Sequence, residues 1–280
     1  MGKHLQRDLD HIKKELLAIG VMVEIALNNA IESLVKRYPK LAEEVKNGDS
    51  QIDQKENQIE EECLKVLALH HPVATDLRFI ISVLKVNNDL ERMGDLAANI
   101  AERSIYLATH EPLRTVLNFN RMVDGVREMV RKSLDALIRT DTNLARLVLT
   151  MDDEIDALNR EMYTKLQNIM REDPESVDRA VHTLSVSRYL ERIADLSTNI
   201  AEDVVFMVEG ESIRHISKGE QKEPKQISYL EHRGPDDQVC SKLGKCTMCF
   251  SRLCINDISS NGSQPFIRNG KMLVCNGEIY

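Results

Sequence analysis

Two short runs of this sequence carry oxygen ligands at a spacing that suits a cation. Glu91, Asp95 and Asn99 stand at i, i+4 and i+8, and Glu191, Asp195 and Asn199 repeat the arrangement. At about 100° per residue each trio falls on one stripe of a helix, with Glu102 and Glu202 on its edge as further candidate ligands. Acidic stripes are common on solvated helix faces. Like charges at i, i+4, however, cost a helix about 0.2–0.5 kcal/mol per pair unless something compensates, and Arg92 and Arg192 are turned 100° away from the acid before them. A bound cation is the natural compensator. Carboxylates with an amide suit hard or borderline ions such as Mg, Mn or Fe, divalent or trivalent, rather than zinc held by thiolates.

Other reactive residue types offer less. His70-His71-Pro72 reads as a helix junction, with no acidic partner fixed by spacing. Met93, Met129 and Met207 sit at core-like positions, and no glycine-rich phosphate loop occurs in residues 1–210. Five of the six cysteines (Cys240, Cys246, Cys249, Cys254, Cys275) cluster near the C-terminus, where a single Cys-x-x-Cys is weak grounds for a zinc site.

The elements that must hold the acidic runs follow from periodicity and punctuation. Long 3.6-residue patterns predict helices near 4–37, 40–69, 73–109, 114–140, 142–171 and 175–209. Pro39, Pro72, Pro112 and Pro174 stand at the breaks, where proline can begin a helix but not continue one. LERMGDLAANIAE (90–102) and LERIADLSTNIAE (190–202) are identical at nine of thirteen positions, and DSQID (49–53) is echoed by DDEID (152–156). Each half is therefore a three-helix unit with the acidic motif on its third helix. The expected core seams are Val86, Leu90, Met93, Ala97, Ile100 and Leu107 in one copy and Val186, Leu190, Ile193, Ser197, Ile200, Val204 and Met207 in the other. Gly94 in mid-helix costs about 1 kcal/mol relative to alanine, so the close approach of another helix is expected there.

Composition divides the 280 residues near 210–225. Residues 1–210 carry 27 basic and 37 acidic residues, and residues 211–280 carry 10 and 8. Aromatic residues are only 4% with no Trp, which argues against an all-β fold. A net charge of −8 argues against nucleic acid as a partner. The mixed-charge start is not a secretory signal, and no long uncharged apolar window suggests a membrane span, so a cytoplasmic protein is expected. The fold class is all-α, a tandem repeat of two three-helix bundles (1–110 and 111–212), then a polar linker (213–228) and a short strand-and-turn segment (229–280).

LKVNNDLERMGDLAANIAE, SRYLERIADLSTNIAE and VVFMVEGESIRH resemble the PhoU family of phosphate-signalling accessory proteins, over residues 1–217. The resemblance implies an all-α homodimer that binds metal ions at Glu91, Asp95 and Asn99 and at Glu191, Asp195 and Asn199. It further implies no enzymatic activity and repression of the phosphate-starvation response, by linking a phosphate ABC transporter to a membrane-bound sensor histidine kinase. In the tail, HRGPDD, FSRLCINDISSNGSQPF and NGEIY resemble the class II glutamine amidotransferase domain of asparagine synthetases. That likeness would assign Arg233 to the glutamine carboxylate, and Asn276, Gly277 and Glu278 to the oxyanion and amine contacts. The family's nucleophile is an N-terminal Cys, and its spacing from Arg233 lands near Ser185, inside the sixth helix. Without nucleophile and free amine no glutaminase activity is expected, and a glutamine-dependent enzyme is the disfavoured alternative.

Overall fold

The computed structural model describes residues 3–73, 75–113 and 119–210, together with four strands at 237–243, 246–252, 266–268 and 271–273. Six helices follow one another: α1 (Lys3–Val35), α2 (Pro39–His70), α3 (Thr75–Ala108), α4 (Phe119–Arg139), α5 (Thr142–Glu172) and α6 (Val177–Glu209), the last preceded by a 3-10 turn at Pro174–Ser176. The punctuation is that of the sequence. Pro39 opens α2, where its missing N–H is no loss. Asp141 caps α5 by accepting from the N–H groups of Asn143 (3.0 Å) and Leu144 (3.1 Å). Gly210 ends α6 with φ 77°, and its N–H donates to the Phe206 carbonyl.

α1, α2 and α3 pack on one another, as do α4, α5 and α6; the two trios meet chiefly along α3 and α6 and also through α1 and α4. Residues Met1–Arg214 form one compact unit. Its core is the set of stripes expected from periodicity. Val86, Leu90, Met93, Ala97 and Ile100 are buried, as are Val186, Leu190, Ile193, Ser197, Ile200, Val204 and Met207, while Leu107 is half-buried. Removing such side chains from water contributes about 1.5–3 kcal/mol for each large aliphatic. α1 is long and apolar enough to cross a bilayer by length and composition alone, although its apolar stretch is interrupted by Glu24 and Glu32. Its stripe of Leu9, Ile12, Leu16, Ile19, Val23, Leu27 and Ile31 is instead buried in the bundle.

α3 and α6 run antiparallel. Near one end of the pair Lys85 Nζ lies 3.4 Å from the buried Asp203 carboxylate and 5.2 Å from the centre of the Phe206 ring. Near the other, Tyr106 stacks on His182 with ring centres 3.7 Å apart. The second unit, His215–Tyr280, contains two antiparallel hairpins: Asp237–Leu243 (β1) with Cys246–Arg252 (β2), and Phe266–Arg268 (β3) with Lys271–Leu273 (β4). Strands are therefore found in the tail as its alternating pattern predicts, and the residues between them lie outside the described ones.

Candidate metal centres

Helical geometry alone puts the acidic trios on stripes; the antiparallel packing of neighbouring helices decides what each stripe faces. In the first half, α2 lies against α3 so that Asn87 Nδ2 donates to the Glu56 carbonyl at 2.9 Å. One turn along α3 from Asn87 comes Glu91 and one turn further Asp95, while along α2 the opposing positions are Asp53 and Asp49. Asp49, Asp53 and Asp95 bring carboxylate oxygens within 4.8 Å of one another. Gly94 makes this approach possible. A Cβ there would stand 3.0 Å from Ile52 Cδ1 and 3.2 Å from Ile52 Cγ2, so Ile52 would have to give by a few tenths of an ångström, and it would be in ordinary contact, 3.5 Å, with an Asp49 carboxylate oxygen. The close approach expected at Gly94 is thus found, and its neighbour is α2.

The second half repeats the helix arrangement, although among the described residues only the first half gathers three carboxylate oxygens within 4.8 Å. Ser187 Oγ hydrogen-bonds Asn159 Oδ1 at 2.7 Å, in the place of the Asn87–Glu56 contact. α5 then sets Asp156 and Asp152 beside Glu191 and Asp195, close enough for their charges to act on both.

Both clusters resist ionisation. Partial burial pushes the Asp49 carboxyl up to about 6, with the charges of Asp95 and Asp53 adding to it. Glu91 and Asp95 are raised for the same reasons, burial first and then Asp53 and, for Glu91, also Asp95 and Glu56; Arg92 opposes the shift at Glu91. Glu56 is raised by burial, Glu60 and Asp53. Asp195 is exposed at its surface, yet the helices around it withdraw enough water to push its carboxyl up to about 6, with Glu191, Asp152 and Asp156 adding and Arg192 opposing. Glu191 is raised by burial, then by Asp156 and Asp152 against Arg188 and Arg192. Gathered, partly dehydrated carboxylates of this kind favour a cation, which neutralises the repulsion and displaces the protons.

The donor set fits a hard metal ion. It consists of carboxylate oxygens converging from two helices, with neither Cys nor His in the convergent trio. Asn87, only 1% exposed, also leaves its Oδ1 without a hydrogen-bond partner, an oxygen acceptor one turn from Glu91.

The sequence-predicted residues separate on inspection. Asp95 joins Asp49 and Asp53, and Glu91 lies within their electrostatic reach. Asn99 lines a groove towards α6, together with Arg92. Asn199 is half-buried at the matching position. Glu102 is exposed and stands 3.8 Å from Arg103, about 10 Å along the axis from Asp95. Glu202 is half-buried and engaged within the bundle. The carboxylates of α2 and α5 were not nominated from sequence, although the DSQID and DDEID echo marks the same residues: Asp49 and Asp53, Asp152 and Asp156. His70, for which spacing fixes no acidic partner, finds one in the sequence-distant Asp8 of α1 at 3.0 Å. Arg233, Asn276, Gly277 and Glu278 lie outside the described residues.

Comparison with known proteins matches the same regions. The PhoU domain model matches twice, over residues 16–104 and 119–204, and a glutamine amidotransferase domain model matches residues 209–280. The phosphate-specific transport system accessory protein PhoU homolog of Aquifex aeolicus is 42% identical over 75% of this chain and 96% of its own length. The homolog of Pseudomonas putida is 39% identical over 77% and 85%. Among solved structures, PhoU from Pseudomonas aeruginosa superposes with a TM-score of 0.72 at 37% identity, covering 74% of this chain and 99% of that one. The phosphate transport system regulatory protein PhoU from Streptococcus pneumoniae gives 0.69 at 28% identity, over 75% and 99%. On the repeated helices, the doubled motif and these likenesses together, the chain belongs to the PhoU family.

Proposed function

We propose that this chain is a metal-binding accessory protein of a phosphate transport system. The observation that carries the reading is the Asp49–Asp53–Asp95 trio, whose carboxylate oxygens converge from two helices of the first half, with Asp152, Asp156, Glu191 and Asp195 within electrostatic reach of one another at the corresponding positions of the second. The ions are Mg, Mn or Fe, held by Asp49, Asp53, Glu91 and Asp95 in one half and by Asp152, Asp156, Glu191 and Asp195 in the other. When bound, such an ion supplies charge that locks neighbouring helices together. The chain's own part is to present the oxygens and to hold the helices at the right separation.

In this reading the protein acts in the cytoplasm as a homodimer. It connects a phosphate ABC transporter to a sensor histidine kinase and keeps the phosphate-starvation response off when phosphate is plentiful. It is an adaptor, not an enzyme. The amidotransferase-like tail lacks a cysteine at the position its nucleophile would need, so ammonia release from glutamine should not exceed a buffer control.

Complementation tests the reading. Residues 1–280 and, separately, 1–217 are expressed in bacteria lacking their own PhoU, and alkaline phosphatase is measured in phosphate-rich medium. Repression by both supports the regulatory role with the tail as passenger. Repression by 1–217 alone shows that the tail interferes, and failure of both, with both folded, counts against the role.

A further inference from the structure

The two clusters leave one feature of the motif helices unexplained. Each motif carries an arginine one residue after its first acid, and the antiparallel crossing of α3 and α6 brings both to the same place. Arg92, Asp95 and Asn99 of α3 and Arg192 and Asp195 of α6 line a single groove of about 510 Å³ between the two halves. Corresponding residues enter it from opposite helices, so the groove lies on the internal two-fold relation of the repeat. Both arginines are exposed. Among the described residues neither closes an ion pair within hydrogen-bonding distance, although each adjoins carboxylates and acts on them through its charge.

In the metal-free protein the charges of this groove balance, two guanidinium groups against two carboxylates. Cations on Asp95 and Asp195 remove that balance and leave a cationic groove with the Asn99 carboxamide beside it. A guanidinium presents parallel N–H donors in a planar fork that matches the edge of a tetrahedral oxyanion, and it stays charged at any physiological pH. Two forks approaching from opposite helices can hold one such anion between them.

We propose that the groove between α3 and α6 is a binding site for a tetrahedral oxyanion, inorganic phosphate first among them, clamped by Arg92 and Arg192 once metal occupies the adjoining carboxylates. The inference rests on the metal reading above and extends it: the metal clusters set the charge of the groove, and the groove reads the anion. Anion binding would then tie α3 to α6, which is the main junction of the two halves.

The test is calorimetric titration of the full chain with inorganic phosphate, with and without Mn²⁺, with sulfate as the competing tetrahedral anion. Bound metal is measured separately by elemental analysis. Phosphate should bind the Mn²⁺-loaded protein at least tenfold more tightly than the metal-free protein, and sulfate should compete with it for the same site. The Arg92→Gln/Arg192→Gln variant should lose at least tenfold in phosphate affinity while its metal stoichiometry and helical circular dichroism stay unchanged. Arg92→Lys/Arg192→Lys, which keeps the charge but not the fork, should fall between. Metal uptake without phosphate binding, failure of sulfate to compete at any concentration, or an unaffected glutamine double variant each overturns the groove proposal and leaves the metal reading standing. No metal uptake at all overturns both.

Discussion

The two carboxylate clusters share a plan but not a charge. In the first, Asp49, Asp53, Glu56, Glu91 and Asp95 form a mutually repelling set, opposed only by Arg92 at Glu91. In the second, Asn159 stands where Glu56 would be, and Arg188, opposite Asn88 of the first copy, draws Glu191 back towards ionisation. The packing differs in the same sense. Gly94 lets α3 press on Ile52 and Asp49, whereas Ala194 fills that position in α6. Repeated sequence thus preserved the helices and the ligand stripes while the charge and spacing of the two sites drifted apart, and ligand charge count is what tunes affinity for a hard cation. The first cluster should be the stronger site.

The largest test removes one cluster at a time. Asp49→Asn with Asp95→Asn should weaken metal binding at the first site by at least ~10–100-fold, the loss known even for outer-shell changes, and should lower bound metal in equilibrium dialysis without emptying the second. Asp152→Asn with Asp195→Asn should do the reverse. If either variant empties both clusters, the two sites are one coupled centre and the comparison breaks.

A second experiment converts one site into the other. Asn159→Glu with Arg188→Asn gives the second cluster the charge of the first and should tighten its metal affinity by about tenfold, since affinity follows ligand charge. Unchanged affinity in a competition assay with a metallochromic indicator would mean that spacing, not charge, separates the sites.

Gly94 tests the spacing directly. Gly94→Leu forces a large side chain against Ile52 and should cost about 1–3 kcal/mol by overpacking, read as a lower Tm. Gly94→Ala meets Ile52 at both Cδ1 (3.0 Å) and Cγ2 (3.2 Å), so a clash of a few tenths of an ångström is set against a gain in helix propensity of about 1 kcal/mol. A leucine variant as stable as the parent would contradict the close-packing account.

The smallest effect is on pH. Asp49 and Asp195, with carboxyls near 6 in the folded chain and an ordinary value of 3.8, take up protons on folding between those limits. The folded state then binds more protons than the unfolded one, so stability falls as pH rises through that window. Metal-free protein should melt a few degrees higher at pH 5 than at pH 7.5. Metal-loaded protein should show the opposite trend, because protons compete with the ion.

Most of the helical architecture was legible in sequence. The six periodic runs, the prolines at their breaks and the repeated third helix fixed the helices to within a few residues at their described ends, apart from 114–118, which lie outside the described residues. The seams around Leu90 and Leu190 were buried as their periodicity required. The partners of each site were harder to read. Periodicity assigns a residue to a face of its own helix and says nothing of which neighbour covers that face, so Asp49 and Asp53 became ligand candidates only when α2 was seen against α3. The echo of DSQID in DDEID was the one linear signal, and its offset differs from that of the third helices because the stretches of α5 and α6 between the two motifs are shorter than those of α2 and α3, the connecting segments 71–74 and 173–176 being equal in length. Arg92 and Arg192 were discounted for the same reason: turned away from their own acids, they face each other's helix.

Gly210 carries a consequence for how such a chain could arise. Its left-handed backbone halts α6 by a bond to Phe206, using nothing beyond itself. The amidotransferase-like match begins at residue 209, at that full stop. A helix ended this way makes a tolerant boundary: whatever sequence follows meets a finished bundle in which Gly210 has already answered the Phe206 carbonyl. Recombination at such a boundary can be sampled by evolution without first damaging the parent fold.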